Sequence, residues 1–258
     1  MTVYKIGGNV LDDRQALERF CTEFAALSGE KVLVHGGGKL ASRLQSALGQ
    51  TPVMVEGRRV TDADALQAVT MTYAGWCNKQ IVSLLQAEGC NAMGLAGCDA
   101  SVITAMRRPP KTLSDGVTTV DYGFVGDVTP DSVNTKVLGM LLGAGITPVL
   151  CAINNDGRGQ LLNTNADTVA GSVAAALKAE LVCCFALDGV MTDKDDPGSV
   201  IPTIDASAFE ALKASGEVAG GMIPKIENCL KALRQGACGA VIRNSAGLGI
   251  ESGTTIKL

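Results

Sequence analysis

The chain is poor in aromatic side chains, has a single histidine, and lacks both a basic run and a long apolar stretch. Each shortage removes a class of protein. Aromatics make up 3% of the 258 residues, so the core must be packed from Ala, Val, Leu and Ile. Charge is nearly balanced, 22 Lys and Arg against 26 Asp and Glu, for a net −4. Without a basic cluster, nucleic acid and anionic membrane are poor partners. No apolar window approaches the roughly 20 residues that span a bilayer. The N-terminus enters a strand at Val3 and shows no signal-peptide core. Nine cysteines and one histidine contain no C-x-x-C pair and are too few in histidine for a zinc cluster. An odd count, partly inside apolar runs, reads as reduced thiols used as small hydrophobes. A cytoplasmic enzyme is the class that remains.

Several catalytic signatures are missing as well. No G-x-x-x-x-G-K-[ST] loop occurs, and no G-x-G-x-x-G follows the first strand. HGGGK is similar to the oxyanion loop of some esterases, but no G-x-S-x-G elbow accompanies it. A serine hydrolase fits poorly, since the one histidine is already spent in that loop.

What is present is a regular alternation. TVYKIGG reads as a strand into a glycine turn, and Asp13 to Ser28 as a helix with Leu17, Phe20, Phe24 and Leu27 at helical spacing. KVLVHGGGK repeats the device, followed by a helix from Leu40 to Leu48 with Gly49 as its cap. Thr61 is expected to open the next helix, with Asp64 completing an acidic capping box. That helix runs through Leu66, Val69, Tyr73 and Trp76 to Glu88. NAMGLA is a strand, and 97–129 is polar and β-branched, which suits hairpins. Asp131 to Leu142 is helical and ITPVLCAI a strand. Asn165 to Leu177 is helical, Glu180 to Leu187 a strand, and TDKDDPGS a polar loop. A helix from Asp205, the turn AGGMIPK, a helix to Gln235 and the strand GACGAVIR complete the pattern. The prediction is an α/β fold with a central, mainly parallel sheet covered on both faces. If the chain has two lobes, they meet near Ala152 to Gly159, dividing it into 1–155 and 156–258.

Ligands of open parallel sheets sit beyond the carboxyl ends of strands, where loops enter helix N-termini. Glycine there lets backbone N–H groups approach an anion, and the helix end adds partial positive charge. KIGG, HGGG and AGGM are all assigned to that location, two of them with a lysine close by. Together they point to a site for several anionic groups.

Five segments then appear in a telling order: KIGGN, VHGGGK at 34–39, GRRVTDAD at 57–64, LNTNADTVA at 162–170 and GGMIPKIE at 220–227. In that order the chain resembles the amino-acid kinases, and most closely the branch that phosphorylates acyl-glutamates. The resemblance spans essentially the whole chain, with N-x-N-A-D and R-V-T as its specific parts. It implies a three-layer αβα sandwich and ATP-dependent phosphorylation of the side-chain carboxylate of N-acetyl-L-glutamate, a step of arginine biosynthesis.

The resemblance also implies roles. Lys5 would touch the transferring phosphoryl oxygens, with the amides of Gly7 and Gly8 beside it. Lys225, next to Gly220 and Gly221, would neutralise the leaving phosphates, and Asp167 would hold both lysines by ion pairing. Gly36, Gly37, Arg59 and Asn163, assisted by Asn165, would recognise the substrate. Mg2+ would ride on the ATP phosphates rather than in a protein cage. Each residue also has a plain structural role open to it: surface lysines, a first-turn acid, a solvent arginine. His35 is read as a structural ring. The N-terminal lobe would bind acyl-glutamate and form the dimer, and the C-terminal lobe would bind ATP.

Two positions depart from the family pattern. Where a Ser/Thr-Asp pair is usual after the strand LVCC, this chain has Phe185 and Ala186, which removes a hydroxyl and a carboxylate from the nucleotide side; Asp188 is the candidate substitute. At 57–61 the usual G-L-R-V-T reads Gly57, Arg58, Arg59, Val60, Thr61. The extra guanidinium would suit an acyl group with its own carboxylate, making N-succinyl-L-glutamate the alternative substrate. The arginine-inhibited hexameric members carry a helix ahead of the first strand. Two residues precede Val3 here, so a homodimer without arginine feedback is expected. Aspartate kinase, glutamate 5-kinase and uridylate kinase fit less well, as does a non-catalytic sensor, which would have little use for two phosphoryl-facing lysines.

Overall fold

The computed structural model describes residues 1–258 except Ser114, Lys194, Asp195 and Glu251. Strand β1 (Thr2–Ile6) leads into a short helix α1 (Gly8–Asp12) and then α2 (Arg14–Ala26), capped by Asp13, which accepts from the amides of Gln15 and Ala16. β2 (Lys31–His35) passes through the second glycine turn into α3 (Gly38–Ala47), and Gly49 follows at φ +77°. A hairpin of β3 (Met54–Val55) and β4 (Arg58–Arg59) precedes α4 (Ala63–Thr70), a π-helical segment Met71–Cys77, and α5 (Asn78–Ala87). β5 (Ala92–Leu95) opens the hairpin region, in which β6 (Met106–Arg107) pairs with β9 (Gly126–Asp127) and β7 (Lys111–Thr112) with β8 (Thr119–Val120).

After α6 (Thr135–Gly143) and β10 (Thr147–Cys151), β11 (Ile153–Asn155) and β12 (Leu161–Asn163) form a further hairpin. Then come α7 (Ala166–Leu177), β13 (Glu180–Phe185), β14 (Thr203–Ile204), α8 (Ala206–Ser215), α9 (Ile223–Arg234), β15 (Gly239–Asn244) and β16 (Thr254–Ile256). Lys194 and Asp195 of the polar loop TDKDDPGS lie outside the described residues.

Among the described residues eight strands form one sheet, in the order β14-β16-β15-β13-β1-β2-β10-β5. All its pairings are parallel except β15 with β16. Alternation along β1 sorts the two faces. Val3 joins a core with Leu181, Cys183, Val169, Val173, Ile226 and Cys229, under α6, α7 and α9. Tyr4 and Ile6 join Leu17, Phe20, Phe24, Ile81 and Leu85, under α2 and α5. Helices therefore cover both faces of the sheet, a three-layer αβα arrangement. A side-chain period of two gives Lys5 the face of Val3, beneath α7 and α9.

Three expectations change. Asp62, not Thr61, caps α4, accepting from the amide of Ala65 at 2.8 Å; Thr61 instead pairs its backbone with the hairpin region. The helix expected from Asp131 is a 3-10 turn at Pro130–Ser132, and α6 begins at Thr135 behind the cap Asn134. Trp76 follows Leu66, Val69 and Tyr73 at helical spacing, yet it is 62% exposed while they are buried. The π turn adds a residue to the helical repeat and shifts its phase, so Cys77 turns inward instead.

Candidate active site

The chain runs from β1 to β2, then to the edge strand β5 and back to β10, before it crosses to β13 on the other side of β1. The carboxyl end of β1 thus faces a crevice between two diverging halves of the sheet, the usual place for a ligand in such folds. A cleft of about 250 Å³ opens there. Of the sequence-predicted residues, Lys5, Gly8, Gly36, Gly37, Arg59, Asn163, Asn165 and Asp167 line it. Gly7, Lys225, Gly220, Gly221 and Asp188 lie outside its lining.

Lys5 is buried and its Nζ meets Asp167 Oδ1 at 2.7 Å. Burial alone would lower the Lys5 pKa, but the charge and hydrogen bond of Asp167 outweigh it and hold the ammonium above the ordinary lysine value. Asp167 stands in the first turn of α7. The helix is capped by Asn165, whose Oδ1 accepts from the amides of Asp167 at 2.9 Å and Thr168 at 3.1 Å. The direct ion pair of Asp167 is with Lys5, and it reaches Lys225 by longer-range attraction. Lys225, in the first turn of α9, rests on the ring of Phe185 with Nζ 3.4 Å from its centroid. Burial, then the positive charge of Lys5, lower its pKa.

AGGM is the turn whose position differs from expectation. It follows α8 rather than a strand, and its Gly220–Met222 turn feeds α9 with Gly220 at φ +55°. The glycine turn and the helix N-terminus are present without the strand.

Beside this pair runs the second glycine turn: β2 neighbours β1, and a Cβ on Gly36 would lie 3.5 Å from Ala166 Cβ. Gly37 adopts φ +148°, and a Cβ there would sit 3.0 Å from both Tyr73 Cδ1 and Cys77 Sγ, so glycine is required. Arg59 is 7% exposed, not a solvent arginine. Its Nη2 donates to Gly38 O at 2.9 Å and Ser42 Oγ at 2.8 Å, and its Nη1 to Gln45 Oε1. Asn163 Nδ2 donates to Thr61 Oγ1 at 3.0 Å, which joins β12 to the R-V-T segment. His35 is structural: its Nδ1 lies 2.9 Å from Gly36 O and its Nε2 3.0 Å from Asn78 Nδ2.

Arg108 is a cleft residue that sequence reasoning missed. Its Nε and Nη2 hold both oxygens of Asp127, and its guanidinium lies 5.6 Å from the ring of Tyr122. That hydrogen bonding keeps the Asp127 carboxyl below the usual range. The adjacent arginines in MRRPP were a faint signal, but only the fold, with β6 paired to β9, shows that Arg108 and not Arg107 lines the cleft. Arg58 lines the same space. Asp188 accepts from Asn244 Nδ2 at 2.7 Å, so one of its oxygens is already engaged. Among the described residues no group of three or more His, Cys, Asp or Glu side chains gathers to hold a metal ion.

The sequence profile of the amino acid kinase family matches residues 1–244. The chain is 45% identical to the acetylglutamate kinase of Bacteroides fragilis, over all of this chain and 97% of that protein. It is 46% identical to that of Bacteroides thetaiotaomicron, again over all of this chain and 98% of the relative. Among solved structures, the Streptococcus mutans protein smu.665 superposes with a TM-score of 0.76 at 27% identity, covering 99% of this chain and 98% of its own.

Proposed function

The chain belongs to the amino acid kinase family, and from that premise we infer that it is an ATP-dependent kinase of N-acetyl-L-glutamate. It transfers the γ-phosphoryl of ATP to the side-chain carboxylate, giving the acyl phosphate, a step of arginine biosynthesis. The observation that carries the reading is the Lys5–Asp167 pair in one cleft with the Gly36–Gly37 turn and Arg59.

A glutamate side chain has a reference pKa of about 4.3 and is ionised at neutral pH. Its oxygen can attack the γ-phosphorus directly while the bond to the β–γ bridging oxygen breaks and its electron pair leaves with ADP. No proton has to move. The obstacle is the repulsion of two anions, and it is met by cations and amides positioned in advance. We assign catalysis to Lys5, Lys225 and Asp167: the two ammonium groups face the phosphoryl oxygens and the carboxylate orients Lys5. Gly36, Gly37, Arg59, Asn163 and Asn165 bind the acyl-glutamate; Gly7, Gly8, Gly220, Gly221 and Asp188 bind ATP. Mg2+ would be carried by the ATP phosphates and would supply further positive charge there. Residues 1–155 serve mainly the acyl-glutamate and 156–258 mainly the nucleotide, with Asn163 and Asn165 reaching to the acyl-glutamate and Gly7 and Gly8 to ATP. The proposed compartment is the cytoplasm, where the free cysteines stay reduced.

A second reading has its own observation. Arg58 lines the cleft in addition to Arg59, one guanidinium more than an α-carboxylate uses, whereas Arg108 is already paired with Asp127. An N-succinyl-L-glutamate, with a third carboxylate on its acyl arm, would use it. An ATP-dependent hydroxamate assay across acetyl-glutamate, succinyl-glutamate, glutamate and aspartate tests both readings. The expected result is turnover of an acyl-glutamate and neither free amino acid. Lys5→Ala should lower kcat by about 10²- to 10³-fold, as losing one donor to transition-state charge does elsewhere. Undiminished turnover by that variant refutes the mechanism, and a clear preference for acetyl over succinyl removes the second reading.

A further inference from the structure

Two lysines and one carboxylate meet at the phosphoryl end of the site, and the carboxylate is committed to Lys5 at 2.7 Å. Among the described residues no carboxylate lies within ion-pairing distance of Lys225. Its ammonium lies instead 3.4 Å from the centroid of the Phe185 ring, and Lys5 Nζ lies 5.2 Å from the same ring. A ring face carries partial negative charge and attracts a cation within about 6 Å.

The placement of that ring follows from the strand. Phe185 ends β13, two residues after Cys183, which pairs in register with Lys5. The period of two therefore sends Lys5, Cys183 and Phe185 to one face, beneath α7 and α9. The ring is 7% exposed, and its backbone carbonyl accepts from the amide of Ser245 at 2.7 Å. The glycine turn closes over its edge: a Cβ on Gly7 would come within 3.6 Å of Phe185 Cδ1.

We propose that Phe185 is a positioning residue for phosphoryl transfer, its ring face holding the Lys225 ammonium at the site in place of a counter-ion. The proposal rests on the kinase reading above. A carboxylate in the same position would fix Lys225 equally well, but it would also cancel the charge that the phosphates need. An aromatic face holds the cation without neutralising it. The charged and titratable groups around Lys225 are Lys5 on β1, which repels it, and Asp167 on α7 and Cys183 on β13, whose attraction does not outweigh that repulsion and burial together. The hydroxyl and carboxylate missing at 185–186 thus have a successor of different chemistry.

The test keeps the shape and changes the charge distribution. Phe185 is replaced by 4-fluoro-, 3,5-difluoro- and 3,4,5-trifluorophenylalanine, which drain the ring face stepwise at nearly constant size. The expected result is a graded fall in kcat/KM for ATP, about tenfold across the series. The ammonium of Lys225, followed by NMR through its Cε carbon with no substrate present, should titrate at progressively lower pH. A flat kinetic series overturns the proposal whatever the titration does. Should the unmodified enzyme fail to phosphorylate acetyl-glutamate, the substrate reading falls. The titration series then decides alone whether the ring holds the lysine: graded supports it, flat overturns it.

Discussion

His35 is fully buried beside the glycine turn, and its single ring ties stability to acid. Burial is the largest influence on it and, against the hydrogen bond to Gly36, lowers its pKa from 6.5 to about 4. The neutral ring donates from Nδ1 to Gly36 O and accepts at Nε2 from Asn78, whose Nδ2 also donates to Val149 O at 3.0 Å. The unfolded chain takes up the proton near pH 6.5, whereas the folded chain resists it down to about 4. The group therefore adds stability at neutral pH that is lost as pH falls through that window, by up to about 1.4 kcal/mol per pH unit. Thermal melts of the wild type and of His35→Asn should show it: the variant loses stability less steeply between those two pH values, and parallel slopes refute the assignment. The residue type and the glycine run were legible, and they named the ring as structural. Its partner Asn78 was not, because 43 residues separate them and only the packing of α5 on the sheet joins them. Arg108 escaped for the same reason. Lys5 and Asp167 are 162 positions apart in the sequence, and the family motifs, rather than local pattern, announced that pair.

At the scale of elements, the helix that carries Asp167 depends on its first residue boundary. Asn165 satisfies two of the free amides of α7 through one oxygen. Asn165→Ala should cost about 1 kcal/mol of stability and loosen the turn that presents Asp167 to Lys5. Asp caps as well as Asn, so Asn165→Asp separates two roles. If the side chain acts as cap alone, the variant recovers both melting temperature and activity. If it also touches the acyl-glutamate, stability returns while KM for that substrate stays raised. Failure of the aspartate to restore stability contradicts the capping role. Most boundaries of this kind were legible, since Asp13, Asn165 and Asp205 each cap the helix that the pattern predicted. The π segment was not: apolar spacing at 66, 69, 73 and 76 satisfies an ordinary helix, and nothing in residue type marks the extra residue per turn. The strands β14 and β16, of two and three residues, were missed because so short a run shows no alternation.

For the whole molecule, the alternation of strands and helices was enough to predict a mainly parallel sheet covered on both faces, but not which edge stays open. β5 ends the sheet, leaving one side of its backbone without a strand partner in it. Such an edge is a template for another chain unless something covers it. Met93 on β5 is 40% exposed, and on the preceding helix Trp76 and Met71 are also exposed. Lys79 and Gln86 of α5 donate to the β5 carbonyls of Gly94 at 3.2 Å and Ala92 at 2.9 Å, so part of the backbone edge is covered and the exposed apolar side chains are what remains open. We propose that a second copy of the chain covers this side, within the N-terminal half, giving a homodimer. Sedimentation of the wild type should give a mass near twice 26.5 kDa. Trp76 is the one tryptophan in the chain, so the same event has an optical signal: dilution into monomer should shift its emission to the red. Trp76→Glu with Met93→Lys should sediment as a monomer while retaining the melting behaviour of a folded chain, because neither side chain belongs to the buried core. A wild type that sediments as a monomer at micromolar concentration refutes the dimer. A double variant that remains dimeric refutes this surface as its site.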